Sequence, residues 1–292
     1  WYSSGIKSQE GTYSKGRKHG MFTMFHSNGQ PRESGAYSRG KKAGIWASWS
    51  SNGEKVAEGL YEDGQRTGKW REWSSRNQQL TGLRNFRVGK TVGTMTTWHL
   101  NGEKRREGDY NQDGRSMGVW KTWYDDGQLA GTTTYKQGNI VGVQTTWHQN
   151  GKKSSEQTYD DDGRLTGEGK AWHDNGQLAR TTKYTLGMRV GLVTQWHPDG
   201  KKRSEEIYDE AGRATGLWKE WHHNGQLART VPYMMGQVVG PRTSWHSNGK
   251  KRSEGMLDRN RRLTGKWEFW SDNGAVDTRR SGNYQNGRRL KN

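Results

Sequence analysis

Seven of the nine histidines stand directly after an aromatic residue: His26, His99, His148, His173, His197, His222 and His246. A ladder of imidazoles raises metal binding or a pH switch. If each rung belongs to its own hairpin, neighbouring rungs lie two strand spacings apart, about 9.6 Å. A zinc–nitrogen bond is only about 2 Å long. Adjacent rungs therefore cannot share an ion, and the ladder reads as a surface position multiplied by duplication. Asp160, Asp161 and Asp162 before Gly163 hint at calcium, which takes about six to eight oxygens. The equivalent stretches, Asn111-Gln112-Asp113 and Asp209-Glu210-Ala211, keep too few carboxylates, so these are expected to be solvated turns. No metal and no cofactor is expected.

Basic residues recur in rows: Lys104, Arg105 and Arg106; Lys152 and Lys153; Lys201, Lys202 and Arg203; Lys250, Lys251 and Arg252. Rows four strands apart are separated by about 19 Å. They are the candidate contacts for an acidic polymer or an anionic membrane surface, in a chain whose 48 Lys and Arg against 30 Asp and Glu leave +18. Glu107, Glu156, Glu205, Glu206 and Glu254 follow close behind and neutralise part of that field. The competing reading is a solubilising role, since Lys on exposed strands discourages sheet-to-sheet pairing. Catalytic sets are missing. With no cysteine there is no thiol nucleophile, and no Ser-His-Asp group or phosphate-cradling glycine loop can be nominated, so the chain reads as not an enzyme. Nor does any apolar run reach the length needed to span a bilayer.

What must position these residues is a repeat. Its anchors are Trp1, Phe25, Trp49, Trp73, Trp98, Trp123, Trp147, Trp172, Trp196, Trp221, Trp245 and Trp270, always 24 or 25 residues apart. Counting the anchor as position zero, Gly stands at minus five in every repeat that has the position and at plus four in all but one, usually after Asn or Asp. Asn-Gly between alternating segments is a hairpin signal, because both central residues of a type I′ turn need positive φ. Each repeat is expected to be one hairpin, with strand A from minus four to plus two and strand B from plus five to plus twelve. A two-residue turn would pair the anchor with plus seven. Alternation then sets the anchor on one face and minus three, plus six and plus twelve on the other. The residues concerned at plus twelve include Tyr135, Tyr159, Tyr184, Tyr208 and Tyr233, so aromatic side chains are expected on both faces, with the anchor tryptophans as core.

Energetics demand many copies. One buried Trp is worth about 4–6 kcal/mol at roughly 25 cal/mol per Å². Ordering a repeat costs about 1–2 kcal/mol per residue in backbone entropy. No single hairpin covers that, so neighbours must share the burial. A hydrophobic content of 28% with high charge otherwise marks disorder, but sixteen Trp and twelve Tyr at fixed phase argue for a fold. The expected architecture is all-β: an elongated tandem β-hairpin array of about twelve repeats over residues 1–292, about 115 Å long as one meander. From Trp98 onward two repeat types alternate, one reading WHQNGKKSSEQTYDDDG and the other WHDNGQLARTTKYTLG, giving a true period of 49.

The pattern G-x-W-x-x-W-x-x-N-G followed by Y, G and G, as in Gly216-Leu-Trp-Lys-Glu-Trp-His-His-Asn-Gly225, resembles the bacterial variant of the MORN repeat. Met95, Gln144, Gly169, Val193 and Arg242 depart from it at minus three. The resemblance implies stacked hairpins, protein or membrane-surface contacts as in antitoxin-like tandem proteins, and no catalytic residue. Tyr159-Asp-Asp-Asp-Gly-Arg-Leu-Thr166 and Tyr208-Asp-Glu-Ala-Gly-Arg213 are similar to YD repeats of toxin shells, and a weaker likeness is to aromatic cell-wall-binding repeats. Trp1 begins in mid-repeat without Met, so a trimmed or fragmentary product is one expectation, and uncapped ends that join head to tail are another. The functional expectation is a structural scaffold that builds a fibre-like or cell-surface assembly with itself. The alternative is a module binding a partner protein or an acidic polymer.

Overall fold

The computed structural model describes residues 1–290. Among them are twenty-five β-strands and no helix, and the strands pair antiparallel. The chain divides into two compact units, Trp1–Val141 and Gly142–Asn292. In the first, each strand from Gln9–Ser14 to Leu129–Lys136 pairs with its neighbours in sequence. The second repeats this meander. The hairpin expectation holds in each unit.

Two details of the hairpin differ from expectation. The Asn-Gly loop is not a type I′ turn. In the Trp221 repeat, His222 N–H donates to the Gln226 carbonyl and Gly225 N–H to the His222 carbonyl, which makes a three-residue loop. Only Gly225 has positive φ (86°), while Asn224 does not. This is a type I turn closed by a left-handed glycine. The anchor consequently pairs with plus six, as Trp49 with Lys55 and Trp221 with Leu227, and a bulge at the preceding residue absorbs the difference. Only the longer Trp73 loop gives the expected plus-seven partner, Leu80. The true type I′ turns lie between repeats, where Leu186-Gly187 (φ 51° and 82°) links Thr185 to Met188. Here the first Gly of Gly-x-x-x-Gly closes a turn, and the second sits inside a strand that starts earlier than expected, such as Lys41–Trp49.

The second difference concerns the core. Shifting the register moves plus six onto the anchor's face, while minus three and plus twelve remain together on the other. The most deeply buried aromatics stand at minus three: Phe22, Trp46, Trp120 and Trp267 are only 1–2% exposed, whereas the anchor tryptophans after Trp1 are half-buried. In the first unit, Tyr13, Phe22, Tyr37, Trp46, Tyr61, Trp70 and Phe86 form a column of edge-to-face contacts with centroids 5.1–6.1 Å apart. A glycine at plus ten makes room for the rings of Phe22, Trp46, Trp70 and Trp120. A Cβ on Gly35 or Gly59 would lie 2.4 or 2.2 Å from Trp46 or Trp70. The anchors, expected as core, instead line the opposite face.

Candidate functional site

On the anchor face, the lysine at plus six reaches the next anchor. Lys104, Lys153, Lys202 and Lys251 lie 5.6–5.8 Å from the ring centroids of Trp123, Trp172, Trp221 and Trp270. Each also pairs with the glutamate three residues on, Glu107, Glu156, Glu205 and Glu254, at 2.5–2.8 Å. A cation–π contact and an exposed ion pair are each worth about 1 kcal/mol or less, so these fix side-chain position more than stability. Lys152, Lys201 and Lys250 donate to backbone carbonyls of the following repeat, at Asn175, His223 and Asn273. Arg106 lies 4.3 Å over Trp120, on the aromatic-column face. All eleven basic candidates are exposed, and the rows are split between the two faces.

The histidine ladder is not a solvated surface position. Six of its members are part-buried, and each places Nε2 2.9–3.0 Å from the carbonyl oxygen of the next anchor. Because that partner is a pure acceptor, Nε2 carries the proton. The loop asparagine adds a second strap. Asn224 Nδ2 donates to Ser247 O at 2.5 Å, while its Oδ1 accepts from Gln226 N–H, and Asn28, Asn101 and Asn150 do the same. Both straps were missed from sequence, although the invariant period was their signal. His197 departs from its siblings. Its buried Nε2 has no partner, and its ring stacks on His223 with centroids 3.8 Å apart.

The aspartate turns also hold themselves. Asp160 Oδ1 accepts from the N–H groups of Asp162 and Arg164, and Oδ2 from Arg164 Nε. Asp209 and Asp258 repeat the arrangement. Backbone donors, foremost those of Arg164, Arg213 and Arg262, hold all three carboxyls below the ordinary carboxylate range. A carboxyl whose folded value is depressed stabilises the turn above its unfolded value and loses that contribution as pH falls through the folded one. Acidification below about pH 4 is therefore expected to speed hydrogen exchange at the Arg164, Arg213 and Arg262 amides first. An Asp160→Asn variant should exchange faster at Arg164 even at neutral pH. Equal exchange in both proteins would show that the carboxylate is idle. Among the described residues no group of three or more His, Asp or Glu could hold a metal ion. No helix among them is long and apolar enough to cross a membrane.

One place breaks the repeat. In the second unit, strand A before Trp245 is split into Gln237–Val238 and Arg242–Trp245. Arg242 occupies minus three, where Trp218 and Trp267 stand in the repeats on either side. A cavity of about 470 Å³ opens there, lined by Arg229, Arg242, Arg252, Arg280 and the acid Glu220. Arg229 pairs with Glu220, and Arg280 lies 4.3 Å over Phe269. Arg242 Nε is buried without a hydrogen-bond partner. Burial first, then the charges of Arg229 and Arg252, pull this guanidinium below its ordinary range. Sequence reasoning marked Arg242 only as a departure from the motif and selected Arg252 for another reason; Arg229 and Arg280 went unnoticed, although the expected register already set Arg229 opposite Glu220.

No curated protein sequence matches the chain. Two solved structures, titled "Crystal Structure of TcdB2-TccC3" and the same "without hypervariable C-terminal region", align with 92% of the chain at 13% and 14% identity and a TM-score of 0.19 each. The chain spans 18% of either of those chains. The family model described as MORN repeat variant matches residues 118–137, 140–161, 165–185, 189–210 and 214–234. Each match takes in strand A, the Asn-Gly loop and strand B of one hairpin, so the likeness seen in Gly216 to Gly225 extends through five tandem repeats that match the MORN repeat variant.

Proposed function

We propose that the chain is a non-catalytic repeat scaffold that associates with copies of itself to build an extended assembly. The observation that supports this reading is a set of apolar side chains left open on the anchor face of each unit. At minus four stand Met21, Ile45, Val119, Leu192 and Leu217, exposed by 66, 68, 54, 50 and 42%. Directly across the strands from them lie Ala36, Leu60, Thr134, Ile207 and Pro232. Lys69 and Thr94 interrupt the position in the first unit and Glu168 and Lys266 in the second, so the apolar side chains form short patches, Met21 with Ile45 and Leu192 with Leu217. Exposed apolar residues are unremarkable singly, but patches of neighbours mark an interaction surface. Each patch, two side chains 24 or 25 residues apart, fits a surface of equal spacing, and a second copy of the chain carries one. Occupation of seven of the candidate lysines within the chain favours this over a ribbon that grips an acidic polymer.

Light scattering on the purified protein tests the proposal. The wild type is expected at a multiple of the 33.4 kDa chain mass. Ile45→Lys with Leu192→Lys should return it to the chain mass, with stability changed by only about 0.5 kcal/mol because both sites are exposed. A wild type that stays at chain mass at high concentration overturns self-association. A partner protein captured in high salt would then favour the binding-module reading, whereas capture of acidic polymer that collapses with salt would favour the ribbon.

A further inference from the structure

Arg242 stands where the neighbouring repeats place a tryptophan, so it removes a ring from the core and buries a charge in its place. A part-buried guanidinium with an unpartnered Nε is costly unless an anion compensates it. Four guanidiniums face one carboxylate in the cavity, and Arg229 already holds that carboxylate. This leaves Arg242, Arg252 and Arg280 without an acidic partner in the site. The backbone is adapted to the opening. Gly240, at minus five, is not in the left-handed conformation that Gly216 (φ 65°) and Gly265 (φ 65°) adopt in the repeats on either side. The strand parts at this point, leaving Arg242 in contact with the cavity.

We propose that this cavity is a binding site for the dianionic phosphate of a phosphate monoester, seated on Arg242 with Arg229, Arg252 and Arg280 around it. A single bidentate arginine satisfies a carboxylate, whereas several guanidiniums can share the oxygens of a tetrahedral dianion. The site lies on the face opposite the apolar patches and stands whether or not the chain self-associates. The phosphate can come from a soluble ester or from a monoester lipid headgroup, since both present the same group.

Titration calorimetry with glycerol phosphate, and flotation with vesicles containing phosphatidic acid in phosphatidylcholine, test the site on the whole chain. Binding of at least one is expected, weakening as salt is raised. Arg242→Met should weaken it about tenfold or more, and Arg105→Met, in the other unit, should leave it unchanged. Preference for the vesicles identifies the lipid, and preference for glycerol phosphate the soluble ester. Arg242→Trp restores the residue type of the neighbouring repeats. It is expected to melt at a higher temperature than the wild type without ligand and to lose the ligand-induced rise in melting temperature. Absence of binding to both probes, retention of binding in Arg242→Met, or a lower melting temperature for Arg242→Trp would each overturn the proposal.

Discussion

Truncating Trp46 to alanine is expected to cost about 3–5 kcal/mol, the range for large aromatic deletions from a packed core. Four contacts are lost together. Trp46 is 1% exposed, sits edge-on between Tyr37 and Tyr61 at centroid distances of 5.1 and 6.1 Å, and donates Nε1–H to the Ala36 carbonyl at 2.9 Å. Lys42 Nζ covers its face at 4.0 Å. Trp46→Phe keeps an apolar ring but strands the carbonyl, which should cost an intermediate amount, about 1–3 kcal/mol. Repeat proteins need not unfold in one step, so a melting curve alone does not locate the loss and a local readout is needed. Native-state hydrogen exchange across Pro31–Ser38, Lys41–Trp49 and Lys55–Glu62 is the appropriate one. Protection lost there in Trp46→Ala, but not in the anchor variant Trp49→Ala, would separate core from cover. Equal losses would contradict the assignment of the minus-three ring as core.

Gly35→Ala is expected to be nearly as damaging, at about 1–3 kcal/mol, although it adds only a methyl group. Gly35 lies opposite Trp46 in the ladder, and its backbone conformation is one any residue can adopt. Space is the constraint, because the new Cβ would stand 2.4 Å from the Trp46 ring. That origin makes the effect conditional. In a Trp46→Ala background the added methyl meets an empty site, so Gly35→Ala should become close to neutral or slightly stabilising. The coupling in the double-mutant cycle should therefore approach the whole single-mutant effect of Gly35→Ala, at the upper end for residues in contact. Additive losses would mean that the glycine serves some other need.

Most of the repeat was legible in sequence because glycine and tryptophan act at fixed phase. The hairpins, their number and the two alternating types follow from spacing alone. The turn chemistry was misplaced: Asn-Gly pointed to a type I′ turn, but the asparagine spends its side chain on the loop and on the next repeat, and only the glycine turns left-handed. That one-residue error at the anchor carried plus six to the wrong face; the anchors were read as core for their apolar area alone, although minus three was correctly set on the opposite face. Contacts between repeats, such as His222 to Trp245, join residues 23 apart and leave no local pattern beyond the period itself. The cavity at Arg242 could be suspected only as a missing tryptophan.

The histidine and asparagine straps also govern how such a chain can change length. Each ties a loop to the backbone of the loop that follows, so lengthening by a complete copy adds both fastenings with it. A shorter insertion in a strand would offset the donors of the straps that span it from their carbonyls and leave those polar groups stranded. Growth by copying whole links is thus the least disruptive kind of change, and the 49-residue alternation is the mark such growth leaves.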